Sequence, residues 1–172
     1  MHAEMWDQET KQWTLLSAKA KKPRTYHSVS VLMTDGRVFT GGGGLCGRCS
    51  VNHLDAEIFN PPYLYQSNGK LASRPSASIN KSSVKNGAYF KVTSSDQLMM
   101  VSMIRMGSAT HSTNTDQRRI ELCGPYSKAC GGKSVTVQVP SDAGIAVPGN
   151  WMIFAVNGNG VPSEAEILNV KL

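Results

Sequence analysis

Residues 26–40 have the sequence YHSVSVLMTDGRVFT, in which two runs of strand-forming residues flank Thr34-Asp35-Gly36. Val, Phe, Tyr and Thr favour the pleated surface of a strand. Asp-Gly between two such runs is a strong signal for a tight β-hairpin. We therefore predict strands over Tyr26–Met33 and Arg37–Thr40, and this hairpin is the first indication of an all-β fold.

Similar short runs, separated by turn residues, continue on both sides of the hairpin. The further predicted strands are Ala3–Asp7, Trp13–Leu16, Glu57–Phe59, Tyr89–Thr93, Leu98–Ile104, Ser134–Val139, Trp151–Val156 and Glu166–Val170. The segment Tyr63–Pro75 carries the turn signals Asn68-Gly69 and Arg74-Pro75, and we predict a domain boundary there. Residues 1–62 form one predicted unit, and the strand spacing in residues 63–172 is typical of an antiparallel β-sandwich.

Composition excludes several classes of protein. The 172 residues are 40% hydrophobic and 17% charged, as in ordinary globular proteins. The net charge is +6, and the densest basic run is Lys19, Lys21, Lys22 and Arg24, which we interpret as a solvated loop without a nucleic-acid partner. There is no apolar stretch of membrane-spanning length, and Met1–Glu4 lack the pattern of a signal peptide.

Four cysteines form two close pairs in the sequence, Cys46 with Cys49 and Cys123 with Cys130. An even count in local pairs favours two short disulfides in an oxidising compartment. Reduced or metal-bound thiols remain the alternative. The glycine run Gly41–Gly44 is followed by neither a Lys-Ser/Thr pair nor a helix signal, so we do not expect it to bind phosphate.

Tyr26, His27 and His111 are the candidate metal ligands. Two imidazoles and a phenolate oxygen suit copper(II). Neighbouring side chains in a regular strand point to opposite faces, so Tyr26 and His27 could reach one ion only at an irregular strand end or a bulge. His111 lies in a polar segment between apolar strands, which could form a loop that reaches beyond its own domain. The residues alone favour a hydrogen-bonded structural role over metal binding for each histidine, and we interpret His2 and His53 in that way.

Longer motifs resemble known families. Residues 1–60 resemble the end of one kelch repeat and the start of another, through Met5-Trp6-Asp7, Trp13, Arg24-Thr25-Tyr26-His27-Ser28 and the Asp35-Gly36-Arg37-Val38 turn with the glycines after it. The whole chain resembles the galactose oxidase family of copper radical oxidases. The motifs that carry this resemblance are Tyr26-His27-Ser28, Gly41-Gly42-Gly43-Gly44-Leu45-Cys46-Gly47-Arg48-Cys49, Asn52-His53, Tyr63-Leu64-Tyr65, Ser67-Asn68-Gly69, Arg74-Pro75, Ala109-Thr110-His111, Asn114-Thr115-Asp116-Gln117-Arg118-Arg119, Val139-Pro140-Ser141-Asp142, Pro148-Gly149 and Gly160-Val161-Pro162-Ser163.

The resemblance implies a kelch propeller blade followed by an immunoglobulin-like sandwich whose loop carries one histidine to a copper ion. It assigns Tyr26 as the axial ligand and proton acceptor, with His27 and His111 as the histidine ligands. Cys46 and Cys49 match the family's disulfide. The family also has a tyrosine crosslinked to a cysteine that stores a radical, and no residue here can be assigned to that pair. Trp6, Trp13 and Trp151 are expected to have packing roles.

The resemblance also implies a function. We expect part of a secreted oxidase that converts primary alcohols of sugars or small alcohols to aldehydes and reduces O2 to H2O2. The chain alone is expected to be inactive, with further propeller blades as its intramolecular partner, because a lone blade cannot bury its faces. The alternatives are a non-catalytic carbohydrate-binding or adhesion module, and a stand-alone sandwich with a vestigial blade.

Overall fold

A computed structural model describes residues 1–8, 10–45, 47–48 and 52–172. Within these residues the regular structure is β apart from one 3-10 helix, Pro62–Leu64, which confirms the predicted all-β class. The strands are β1 (His2–Asp7), β2 (Gln12–Lys19), β3 (Ser28–Leu32), β4 (Val38–Gly42), β5 (Ala56–Phe59), β6 (Ala77–Ile79), β7 (Ser83–Lys85), β8 (Tyr89–Ser94), β9 (Leu98–Arg105), β10 (Ala109–Thr110), β11 (Thr113–Asn114), β12 (Arg119–Cys123), β13 (Ser134–Gln138), β14 (Gly149–Asn157) and β15 (Glu166–Lys171). None of the helical structure described is long and apolar enough to cross a membrane.

The later strands form a β-sandwich. One sheet has the order β12-β9-β14-β15-β7 and the other has the order β13-β8-β6. All neighbours pair antiparallel except β15 and β7, which are parallel. The buried side chains between the sheets come from both, for example Phe90 and Val92 from β8 and Trp151 and Ile153 from β14. The predicted sandwich is therefore present.

Strand β14 is buried on both faces, which explains its almost continuous apolar sequence. Trp151, Ile153 and Ala155 belong to the core between the two sheets. The alternate residues Met152 and Phe154 are also buried, but on the opposite face of the five-stranded sheet. That second face is covered by another part of the chain.

The sheet β3-β4-β5 lies on this side of the sandwich, and the N-terminal strands β1–β5 contribute nothing to the apolar core cluster. β1 and β2 form a separate hairpin, and β3-β4-β5 form an antiparallel sheet. Leu32 of β3 and Tyr63 line a cavity of about 300 Å³ together with Phe154 and Val156 of the sandwich. The N-terminal sheet therefore faces the outer side of β14 across this cavity.

Hydrogen bonds fix this contact at the turn between β3 and β4. Arg74 donates to the carbonyl oxygens of Asp35 (2.6 Å), Pro162 (2.9 Å) and Ser163 (2.5 Å). The Tyr63 hydroxyl donates to the carbonyl oxygen of Gly36 at 2.5 Å. One arginine thus joins the hairpin predicted from Asp35-Gly36 to the sandwich. The predicted division of the chain into residues 1–62 and 63–172 stays a prediction.

The cysteine and tryptophan predictions have different outcomes. Cys123 and Cys130 form the predicted disulfide. Cys46 and Cys49 lie outside the described residues. Trp151 is fully buried and donates to the carbonyl oxygen of Val147, so its packing role is confirmed. Trp6 and Trp13 pack against each other across the β1–β2 hairpin with ring centres 5.3 Å apart, and both are largely exposed.

Candidate metal centre

Tyr26 and His27 lie in a turn directly before β3, not in the strand as predicted. The strand begins only at Ser28, because His27 has a φ of 60°, in the left-handed region. Such a residue breaks the alternation of a strand and redirects its side chain. The irregular strand end that a shared metal site requires is therefore present at this position.

Glycines of the run Gly41–Gly44 contact the backbone of this turn and form hydrogen bonds with it. The Gly44 amide donates to the carbonyl oxygen of Tyr26, and His27 Nδ1 lies 2.9 Å from the carbonyl oxygen of Gly44. Gly42 has a φ of 73°, and a Cβ there would lie 2.9 Å from the carbonyl oxygen of His27. Only glycine fits such an approach, so the run shapes the backbone around His27.

Arg24 anchors the segment that leads into the turn. Its guanidinium donates to the carbonyl oxygen of Gly42 at 2.9 Å and to Asp55 Oδ1 at 2.9 Å. Its side chain is only 3% exposed, so the interpretation of the basic run as a solvated loop is wrong for Arg24. Hydrogen bonds from Lys22 and then Arg24 lower the pKa of Asp55 to about 2. The buried cation is thus compensated by a carboxylate that stays ionised.

His111 reaches this turn from the sandwich. It lies between the short strands β10 and β11, and both His111 and Ser112 have positive φ values, 50° and 65°. Arg105 Nε donates to Asp116 Oδ2 at 2.9 Å just after this hairpin and fixes its base. The hairpin contacts β3, so the loop that carries His111 reaches the N-terminal sheet.

The three predicted ligands come together as a ring cluster. The ring centres of Tyr26 and His27 are 3.9 Å apart, those of His27 and His111 are 4.7 Å apart, and those of Tyr26 and His111 are 5.3 Å apart. Two imidazoles bound at about 2 Å to one ion, at roughly a right angle, would place their ring centres about 4.5 Å apart. The separation of His27 and His111 therefore fits a shared ion.

The hydrogen bonds of the imidazoles leave nitrogen atoms for such an ion. Because a carbonyl oxygen can only accept, the bond to Gly44 places the proton of a neutral His27 on Nδ1 and leaves the Nε2 lone pair free. His111 Nδ1 lies 2.7 Å from the Thr110 hydroxyl, which can accept its proton. This arrangement, with one nitrogen held by the protein, is the usual state of a metal-binding histidine.

The cluster is open and mixed in its donors. Tyr26 is 50% exposed and His111 is exposed too. Among the residues that the structure describes, no three His, Cys, Asp or Glu side chains gather as a metal site, so the candidate centre depends on the tyrosine. Two imidazoles and a phenol oxygen are donors of the kind that copper(II) binds, but they do not complete its coordination.

The other candidates of the sequence lie apart from this ring cluster or contact it indirectly. His2 Nδ1 lies 2.8 Å from the carbonyl oxygen of Leu16 on the β1–β2 hairpin. The His53 amide donates to the carbonyl oxygen of Gly43. The sequence patterns did not identify Ser28 and Ser112 as part of the site, although their hydroxyls lie 2.9 Å apart beside it. The only sequence signal for them is that each directly follows a candidate histidine.

Comparison with known proteins adds the family context. Residues 74–170 match the family described as the galactose oxidase-like early set domain. A galactose oxidase from Gibberella zeae is 52% identical over 148 residues, which cover 86% of this chain and 21% of the relative. An aldehyde oxidase from Arabidopsis thaliana is 30% identical over 162 residues, covering 86% of this chain and 26% of the relative.

A solved structure is similar over almost all of the chain. It is described as a novel fungal alcohol oxidase of the AA5 family in complex with copper, and it matches with a TM-score of 0.87 and 43% identity. The match covers 98% of this chain and 35% of that chain. The chain thus spans about a fifth to a third of the length of these relatives.

Proposed function

The chain belongs to the galactose oxidase-like family through its early set domain, and from this premise we propose that it contributes three ligands to the copper site of an alcohol-oxidising copper radical oxidase. Tyr26, His27 and His111 are the proposed ligands. The proposed reaction converts a primary alcohol, of a sugar or of a related small molecule, to the aldehyde while O2 is reduced to H2O2. Two electrons and two protons pass from alcohol to oxygen, so the reaction balances.

The observation that carries this proposal is the meeting of two distant segments at one point. His27 precedes β3 and His111 lies between β10 and β11, yet their ring centres are 4.7 Å apart. Both histidines have positive φ values, which L-residues adopt only at an energetic cost. Backbone strain of this kind gathers at functional sites, where it holds side chains in a required geometry.

In this proposal the side chains divide the work. A copper(II) ion bound here would make an alcohol more acidic and accept one electron. The Tyr26 phenolate oxygen would take the proton of the alcohol as a general base. His27, fixed through its Nδ1 proton to Gly44, would present Nε2 in one orientation. Because alcohol oxidation needs a second electron acceptor, we propose that sequence outside these residues supplies a crosslinked tyrosine–cysteine pair.

Parts of the proposal concern the surroundings of the site. The Cys123–Cys130 disulfide supports an oxidising, extracellular location. The apolar side chains left exposed on β1 and β2, such as Trp6 and Trp13, support further propeller blades as neighbours in the parent protein. We propose that β1–β5 belong to that kelch propeller.

Copper(II) binding to the 172-residue chain tests the proposal. Calorimetry and electron paramagnetic resonance should show one site with nitrogen ligands. His27→Ala and His111→Ala should each weaken binding by more than about 100-fold, since even outer-shell partners of metal ligands contribute about 10–100-fold. His2→Ala is the matched control and should bind as the unmodified chain does.

Two results would contradict the proposal. Equal copper affinity in the double variant His27→Ala/His111→Ala and in the control would remove the ligand assignment. Sustained peroxide production from galactose by this chain alone would show that the proposed radical pair is not needed.

A further inference from the structure

Three segments of the ring cluster meet in one small hydrogen-bond network. Ser112 Oγ lies 2.5 Å from the carbonyl oxygen of Thr25 and 2.9 Å from Ser28 Oγ. The Ser112 amide donates to the carbonyl oxygen of Ser28 at 2.8 Å, and the Ser28 amide donates to the carbonyl oxygen of Thr25 at 3.0 Å. We call these groups of Thr25, Ser28 and Ser112 the serine latch.

The proton positions in the serine latch follow from its partners. A carbonyl oxygen only accepts, so the single hydroxyl proton of Ser112 points to Thr25. Ser112 Oγ must then accept from the Ser28 hydroxyl. The two hydroxyls therefore form one directed chain that ends on the backbone beside Tyr26.

The members of the serine latch are direct neighbours of the candidate ligands in the sequence. Thr25 precedes Tyr26, Ser28 follows His27 and Ser112 follows His111. If Thr25, Ser28 or Ser112 moved because one of these hydrogen bonds was lost, the candidate ligand next to it would move as well. Since Ser28 is only 5% exposed, water cannot readily replace its partner.

The serine latch also accounts for strained backbone at the tip of the β10–β11 hairpin. Five non-glycine residues among those described have positive φ, and His27, His111 and Ser112 are three of them. Such conformations persist only where the surroundings impose them. The bonds from Ser112 to Thr25 and Ser28 are the contacts that impose this turn on the tip of the β10–β11 hairpin.

From these contacts we propose that Ser28 and Ser112 are positioning residues, which set the separation and angle of His27 and His111 for the metal. This inference rests on the proposed function, because it assumes that the two histidines share an ion. Neither serine is a ligand. Their effect on the metal passes through the backbone that carries the ligands.

Alanine variants of the full chain, probed with copper(II) alone, test the positioning role. Ser28→Ala and Ser112→Ala should each weaken copper binding about 10-fold and shift the electron paramagnetic resonance parameters, as changes around metal ligands do. The double variant should be no weaker than roughly the worse single variant, since both hydroxyls belong to one chain of bonds. Ser28→Thr keeps the hydroxyl and should bind copper normally.

Ser30→Ala is the matched control on the same strand. Its hydroxyl bonds to Thr40 Oγ1 at 3.2 Å, on the same side of β3 but away from the latch. It should change neither affinity nor spectrum. If Ser28→Ala fails to fold, Ser112→Ala alone tests the positioning role. Ser112 lies in an exposed hairpin, so its replacement should not prevent folding.

A metal-free measurement separates the two proposals. Hydrogen exchange of peptides covering residues 109–114 should rise in both alanine variants without copper. Each variant removes a hydroxyl bond that holds the hairpin tip against Thr25 and Ser28, so the bond from the Ser112 amide to the Ser28 carbonyl oxygen should open more often. Normal affinity, spectrum and exchange in these variants would overturn the latch while leaving the copper proposal intact. If the unmodified chain binds no copper, the proposed function fails, and the positioning role falls with it even where exchange still reports the latch bonds.

Discussion

The β-sandwich and the N-terminal strands β1–β5 bury their residues in different ways. The apolar core cluster is drawn entirely from residue 77 onwards. In β1–β5 the buried residues are Ser28 and Gly41, neither of which has a large apolar side chain. The strand that follows Tyr26 and His27 is therefore not held by a core of its own, and its position depends on the sandwich and on hydrogen bonds.

This difference has a consequence for the candidate metal centre. His111 belongs to the self-supporting sandwich, whereas Tyr26 and His27 belong to the dependent part. The distances among the three rings therefore depend on the contacts that hold the N-terminal sheet against the sandwich. Changes that separate them should disturb the rings even when every ligand is intact.

The largest effect is expected from removing the centre of the sandwich core. Trp151→Ala should destabilise the chain by about 3–5 kcal/mol, because it leaves a large cavity where the side chain is fully buried. Protection of β3–β5 should be lost along with that of the sandwich. Urea denaturation followed by circular dichroism and hydrogen exchange would measure both. Trp13→Ala is the matched control, since Trp13 is 64% exposed. If Trp13→Ala lowered the free energy of unfolding as much as Trp151→Ala, the proposed difference between the sandwich and β1–β5 would be wrong.

A smaller but more selective effect is expected at Arg74. Arg74→Ala removes three donors from the carbonyl oxygens of Asp35, Pro162 and Ser163 and should cost about 1.5–3 kcal/mol. Amide hydrogen exchange should become faster in β3–β5, whereas the amides of the sandwich should stay protected from exchange. Arg37→Ala, at the same turn but with a more exposed side chain, should change exchange much less. Uniform loss of protection in both parts would show that they unfold as one unit.

The sequence predicted the parts of the fold that local patterns determine. The Asp35-Gly36 turn and the alternating or continuous apolar runs predicted the hairpin and the sandwich strands β8, β9, β13, β14 and β15, with bounds within a few residues of the observed ones. The sandwich strands β6, β7 and β12 were not among the named predictions. The start of β3 was wrong, because the left-handed turn at His27 depends on contacts with Gly42 and Gly44, which lie across the sheet.

The candidate site was predictable as a set of residues but not as a structure. The resemblance pointed to Tyr26, His27 and His111, and the structure brings their rings together. The burial of Arg24 and the serine latch had no such signal. They join segments that lie far apart in the sequence, and a hydroxyl beside a histidine looks the same whether or not it has a distant partner.

Tyr63 offers a finer test of how the parts are joined. Tyr63→Phe removes one hydrogen bond, to the carbonyl oxygen of Gly36, and should cost about 1 kcal/mol. Burial raises the pKa of Tyr63, so its hydroxyl stays a donor over the whole neutral range. Thermal unfolding would measure the loss. The Tyr65 hydroxyl only accepts a hydrogen bond from exposed Asn60, so Tyr65→Phe should lower the stability less than Tyr63→Phe. The reverse order would show that the bond from Tyr63 to Gly36 does not hold the N-terminal sheet to the sandwich.

The smallest effect is expected from acid, because the Asp55 side chain is exposed and the Asp35 side chain is partly exposed, so solvent screens both ion pairs. The pKa of Asp55 is lowered to about 2 by hydrogen bonds from Lys22 and Arg24, and that of Asp35 is lowered chiefly by Arg37. A lowered pKa means that the folded state holds the proton less tightly than the unfolded chain does. The resulting stabilisation is complete above the ordinary value of 3.8 and is lost as pH falls towards 2.

Both of these carboxylates lie in the dependent part of the chain, so acid should loosen that part first. Hydrogen exchange between pH 4 and about 2, corrected for the intrinsic rate, should show β3–β5 opening before β8, β9 and β14. Asp55→Asn should remove part of this pH dependence and leave the buried Arg24 with only its longer ion pair, to Glu57 at 3.4 Å, at neutral pH. Simultaneous opening of both parts on acidification would mean that the hydrogen bonds of Arg74 and Tyr63, not the ion pairs around Asp55, limit the stability of β3–β5.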